Sequence, residues 1–79
     1  MNKQMNILVF GQLEDITGAS IISIDEVTNT EQLLNSLYIR FPQLKEKKIL
    51  IAVDQKIIQE NTVINDQSAV ALLPPFSGG

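Results

Sequence analysis

The residues with most chemistry to offer are the last eight, Leu72 to Gly79, which read LLPPFSGG. The sequence holds no cysteine and no histidine, so thiol nucleophiles and the usual zinc and imidazole chemistries are absent. What remains is the main chain itself. Gly78 and Gly79 carry no side chains, so a partner's tunnel can close around their backbone and bring reactive atoms to the terminal carboxylate of Gly79 unobstructed. A carboxylate is a poor electrophile, because its charge is spread over two oxygens and oxide is not a leaving group. Joining it to AMP from ATP, in a second protein's active site, makes it reactive. A sulfur nucleophile can then displace AMP and leave a thiocarboxylate, a nucleophilic sulfur ionised at neutral pH.

Such a terminus works only if something holds it out. Pro74 and Pro75 lack backbone N–H groups, so they stop the preceding strand from extending its ladder and send the chain off the sheet. At ~3.1 Å per residue the segment 74–79 can project roughly 19 Å, with Phe76 as an apolar anchor partway along and Ser77 as a small spacer.

The body that carries this tail is one domain, residues 1–79. The chain has 44% apolar and 19% charged residues, which suits a globular fold, and no apolar run approaches the ~20 residues of a membrane span. The N-terminal apolar stretch is too short for a secretory signal, and a cytoplasmic protein is expected. The net charge of −3 disfavours nucleic acid as a partner. Lys45, Lys47 and Lys48 form the only basic cluster and read as a solvated loop after a helix.

Periodicity supplies the elements. Met5–Phe10 reads as a strand with Ile7 and Val9 on one face and Leu8 and Phe10 on the other. Residues 11–18 read as a loop with one helical turn between two glycines, and the β-branched Ser20–Ile24 returns as a hairpin partner. TNTEQLLNSLYIRFPQ, residues 28–43, places Leu33, Leu34, Leu37, Tyr38 and Phe41 at helical spacing. Thr28 with Glu31, or Asn29 with Gln32, can form a capping box at its start, and Pro42 marks its end. Ile49–Val53 is continuously apolar, as a central strand covered on both sides would be. Asp54-Gln55 turns the chain into a short strand at 56–59, and residues 69–74 supply the last strand.

One helix laid on one face of a mixed sheet of about five strands makes a single core from these parts. That is an α+β chain of the β-grasp, ubiquitin-like class. If the helix covers Ile7, Val9, Val70 and Leu72, then Phe10 and Leu73 face outward and Ile57 can join them. An exposed apolar patch of that kind marks a protein interface.

From MNILVFGQLEDITG through IAVDQKII to VALLPPFSGG, the chain resembles the sulfur-carrier (small) subunits of molybdopterin synthase, a MoaD/ThiS-like, ubiquitin-related family. The specific part is the strand that ends in Pro-Pro, one apolar residue, a small residue and Gly-Gly. The resemblance implies a thiocarboxylate on Gly79, made by an ATP-dependent, E1-like adenylating enzyme and a sulfur donor protein. It further implies insertion of Pro74, Pro75, Phe76, Ser77 and Gly78 into the large synthase subunit, which converts cyclic pyranopterin monophosphate to molybdopterin within a heterotetramer. Phe10, Ile57 and Leu73 match its partner-facing positions. No cofactor or metal is implied on the carrier, ATP being used by the adenylating partner, and the chain would be a sulfur-donor subunit rather than an enzyme alone. Three departures are visible: NDQSAV lacks the usual glycine, Glu14 stands where arginine is common, and Asp54 where asparagine is common. Competing readings are a sulfur carrier for thiamine thiazole synthesis, which usually lacks Pro-Pro, a ubiquitin-like modifier conjugated to lysines through Gly79, and a non-catalytic binding module.

Overall fold

A computed structural model describes residues 4–75. The strand β1 (Gln4–Val9) alternates strictly, burying Met5, Ile7 and Val9 and exposing the residues between them. A short helix α1 (Leu13–Thr17) follows and stops at Gly18, whose left-handed φ of 78° lets its N–H donate back to the Glu14 carbonyl. The chain returns as β2 (Ile21–Asp25), paired antiparallel to β1 so that Leu8 faces Ile21 and Asn6 faces Ser23.

Helix α2 (Thr30–Arg40) is placed by its first turn. Of the two candidate caps, Asn29 is the one used, its Oδ1 accepting from the Gln32 N–H at 2.9 Å. Gln32 reaches back, but one residue further than a standard box, to the N–H and hydroxyl of Thr28. Asn61 ties the same turn to a distant loop by accepting from the Glu31 N–H and the Thr30 hydroxyl. The helix ends at Arg40, short of the expected stretch. Pro42 then opens a 3₁₀ helix, Pro42–Glu46, which the sequence reading took as loop; its Leu44 is fully buried, and that burial is what winds the segment.

The remaining strands are β3 (Leu50–Val53), β4 (Lys56–Ile58) and β5 (Val70–Leu73), and the sheet order is β2-β1-β5-β3-β4. β1 and β5 run parallel, and every other neighbouring pair is antiparallel. The central strand is therefore β5 and not the apolar β3, which lies one strand from the edge. Leu33 and Leu37 of α2 pack with Ile7, Val9, Ile51, Val53, Val70 and Leu72 in a single core, and Tyr38 and Phe41 sit half-buried against it. The helix thus covers one sheet face, and the mixed β-grasp sheet forms as expected. No helix among the described residues is long and apolar enough to cross a membrane.

Two sheet details bear on stability. Arg40 donates to the Ser23 carbonyl at 2.6 Å, covering an outward-facing acceptor on the edge strand β2, and lies over the Phe41 ring. The β3–β4 hairpin turns in two residues, Asp54 and Gln55, both left-handed at φ 52° and 71°. That is the backbone of a type I′ turn, built here without glycine. Asp54 compensates by clamping the start of β5: its N–H donates to the Ala69 carbonyl at 2.7 Å, and its Oδ1 accepts from the Ala69 N–H at 3.0 Å. Gln55 shows no such return. Replacing it by glycine relieves ~1–2 kcal/mol of left-handed strain against roughly 0.4–1 kcal/mol of added unfolded-state entropy. Gln55→Gly is accordingly expected to raise the melting temperature by about 4 °C, measured by circular dichroism.

Candidate functional site

β5 ends at Leu73, and Pro74 and Pro75 carry the chain off the sheet with no further strand pairing. On the β1 side the last rung is the Phe10 N–H, just past β1, donating to the Leu72 carbonyl at 3.0 Å, while on the β3 side pairing runs to Leu50 opposite Leu73. Immediately beyond it Gly11 takes φ 62°, and a Cβ built there would lie 2.9 Å from Pro74 Cγ. The β1–α1 loop therefore forms the seat on which the first proline rests, and only a residue without a side chain makes that seat without displacing the ring. Gly11→Val combines a forbidden φ with the proline clash. It is expected to destabilise the fold by about 2 kcal/mol, seen in urea denaturation as a lowered midpoint with an unchanged slope.

The face opposite α2 carries the anticipated apolar surface, and the register shows its shape. One row crosses the whole sheet: Ile21 of β2, Leu8 of β1, Ala71 of β5, Ala52 of β3 and Ile57 of β4. Its larger members are open to solvent, Ile21 at 54%, Leu8 at 40% and Ile57 at 47% exposure. A second row lies nearer the tail, where Leu73 pairs with Leu50 and the same register continued past β1 sets Phe10 level with Leu73. Phe10 is 45% exposed. On the other side of the long row the surface turns polar, with the Ser23 hydroxyl donating to Asn6 Oδ1 at 2.9 Å.

Phe10 and Leu73 are thus brought together at the point where the tail leaves, and both lie on the open face. Ile57 belongs to the same face but stands at its far edge, joined to Leu73 through Ala52 and then Leu50 or Ala71. Pro74 is half-buried and Pro75 exposed. Phe76, Ser77, Gly78 and Gly79 lie outside the described residues. Leu8 and Ile21 join this surface beyond the residues expected from sequence, although the parity that selects Phe10 also places Leu8 beside it. Ala52 and Ala71, likewise not expected, make the surface continuous. The support of Pro74 by Gly11 has no sequence signal, since nothing in the sequence brings positions 11 and 74 together.

Residues 7–79 match the profile of the ThiS family. Among curated proteins, the chain is 30% identical to the molybdopterin synthase sulfur carrier subunit of Dictyostelium discoideum over the full length of both chains. It is 28% identical to the protein of that name from Mycobacterium tuberculosis, over 96% of this chain and 98% of the relative. The Arabidopsis thaliana protein of that name is 22% identical, over 96% of this chain and 83% of the relative. Among solved structures, the small archaeal modifier protein 1 of Methanosarcina acetivorans superposes with a TM-score of 0.78 at 20% identity, covering 100% of this chain and 99% of that one. The Haloferax volcanii protein gives 0.75 at 20% identity, over 98% and 100% of the two chains. These last two likenesses speak to the ubiquitin-like fold alone. With that fold formed and the family match running from β1 through the Gly-Gly ending, the chain belongs to the ThiS family.

Proposed function

We propose that this chain is the sulfur carrier subunit of a molybdopterin synthase and that its working atom is the carboxyl carbon of Gly79. The observation that carries the reading is the family match through residue 79, which takes in the tail as well as the body. The three curated relatives named above support the choice of pathway, and the Pro-Pro ending favours it over thiamine thiazole synthesis.

In this reading a Gly79 carboxylate oxygen attacks the α-phosphorus of ATP within an E1-like adenylating enzyme, forming an acyl adenylate and releasing pyrophosphate. A persulfide on a donor protein then attacks the acyl carbon and displaces AMP, and a thiol cleaves the S–S bond of the resulting acyl disulfide, becoming oxidised to a disulfide with the donor's cysteine as the terminus leaves as a thiocarboxylate. The charged tail enters the large synthase subunit, within a cytoplasmic heterotetramer, and gives up its sulfur to cyclic pyranopterin monophosphate. The body contributes position rather than proton transfer. Its open face, with Phe10 and Leu73 beside the tail, docks on each partner in turn, and the Gly11 seat under Pro74 sets the direction in which the tail departs. The partners supply the cationic groups that stabilise negative charge developing on the acyl oxygen and on the phosphate being transferred or released.

Intact-mass analysis after incubation with ATP, an adenylating enzyme and a sulfur donor tests the reading. The expected product is the chain with one oxygen replaced by sulfur, the change mapping to Gly79. Appearance instead of isopeptide-linked conjugates to lysines of other proteins would identify a modifier, and neither product would refute the carrier assignment.

A further inference from the structure

The root of the tail has a second flank whose chemistry differs from that of the open face. Lys45, Lys47 and Lys48 are three of the six cationic residues of a chain whose net charge is −3. Their placement is fixed by the 3₁₀ helix, which is pinned by the buried Leu44 and closed by the Lys47 N–H donating to the Leu44 carbonyl at 3.1 Å. From there Lys47 and Lys48, but not Lys45, line a cleft of about 300 Å³. Leu13 and Ile16 of α1 and Pro74 and Pro75 themselves give it an apolar part, and Gln12 and Asp15 complete its lining. Both lysines are exposed, and among the described residues no side-chain hydrogen bond or ion pair engages either of them.

We infer that this cleft is a second docking element for the enzyme that activates the tail. Its occupant is an acidic and apolar segment of that enzyme, with carboxylates against Lys47 and Lys48 and an apolar side chain over Ile16 and Pro75. The inference rests on the carrier reading and adds to it. Two adjacent exposed ammonium groups on an acidic protein attract an anion and repel a basic surface. Asp15 also lines the cleft and disfavours an anion at its own position, which leaves Lys47 and Lys48 as the attachment point for the partner's carboxylates. With an apolar face on one side of the di-proline and a cationic cleft on the other, the tail is bracketed by surfaces of unlike chemistry. A partner that engages both can admit it in only one orientation.

Lys45 provides an internal control, because reversing it changes the net charge identically but outside the cleft. The probe is an E1-like adenylating enzyme with ATP and a sulfur donor, and the readout is the rate of thiocarboxylate formation by intact mass. For Lys47→Glu or Lys48→Glu, kcat/KM at low salt is expected to fall about ten-fold, mainly through KM, and the loss should shrink at ~0.5 M salt. Lys45→Glu should fall less than about two-fold, Lys48→Arg should retain activity, and all melting temperatures should stay within about 2 °C of wild type. Equal losses at positions 45 and 48 would show that only overall charge matters and would overturn the inference, as would salt-independent or absent losses. A wild-type chain that no such enzyme charges overturns the carrier reading and this inference together, whereas a charged wild type with indifferent lysine variants overturns the inference alone.

Discussion

A chain lacking Gly79 is expected to fold and bind its partners almost as the full chain does, yet to donate no sulfur. Among the described residues the sheet ends at Leu73, and the tail root is seated where Pro74 meets Gly11. Removing one residue shortens the reach by ~3 Å. Since a misplacement of ~1 Å can cost on the order of 10²-fold, the charging rate should drop by at least that factor. The decisive comparison is intact mass after charging, alongside titration calorimetry with the large synthase subunit and a thermal melt. Unchanged molybdopterin production by the shortened chain would remove Gly79 from the mechanism.

Leu73→Asp is expected to produce the opposite pattern, a correctly terminated chain that its partners no longer hold. Leu73 is half-buried on the open face, paired with Leu50 and level with Phe10, where the proposed docking surface meets the tail. A carboxylate there would lose its water on docking with no partner for its charge. The loss should be about 2 kcal/mol or more, which is roughly thirty-fold in Kd by calorimetry. Ile57→Asp, at the far edge of the same face, should cost less. If Leu73→Asp binds as wild type does, the open face is not the docking surface.

Much of the body was legible in the chain because its signals are local. The parity of Met5–Phe10 sorted Ile7 and Val9 from Leu8 and Phe10, and the structure sorts them the same way. Two overlapping capping pairs, Thr28 with Glu31 and Asn29 with Gln32, marked the start of α2, of which the structure uses the second, and the two prolines marked the end of β5. What stayed hidden depends on contacts between distant residues. The continuous apolar stretch at 49–53 suggested a central strand, but centrality is set by pairing, and β5 takes that place by lying between β1 and β3. Ala52 and Ala71 carry no sequence signal of their own, yet they join Ile57 to Leu8 across the sheet. The lysines after α2 read as a solvated loop. They are indeed exposed, but the buried Leu44 winds the segment and swings Lys47 and Lys48 beside Pro74 and Pro75, some thirty positions away in sequence. The candidate site was therefore visible where it coincides with the tail and invisible where the fold brings other segments to it.

The parallel pairing of β1 with β5 has a mechanical consequence. The tail continues directly from β5, which is gripped on both long edges, by β1 on one side and β3 on the other. Tension applied along β5 through its end would load those hydrogen bonds in shear, all together, rather than unzipping them one at a time. Such an arrangement resists being unravelled from the very end by which it is handled, so the body could be hauled in and out of successive machines without losing its shape.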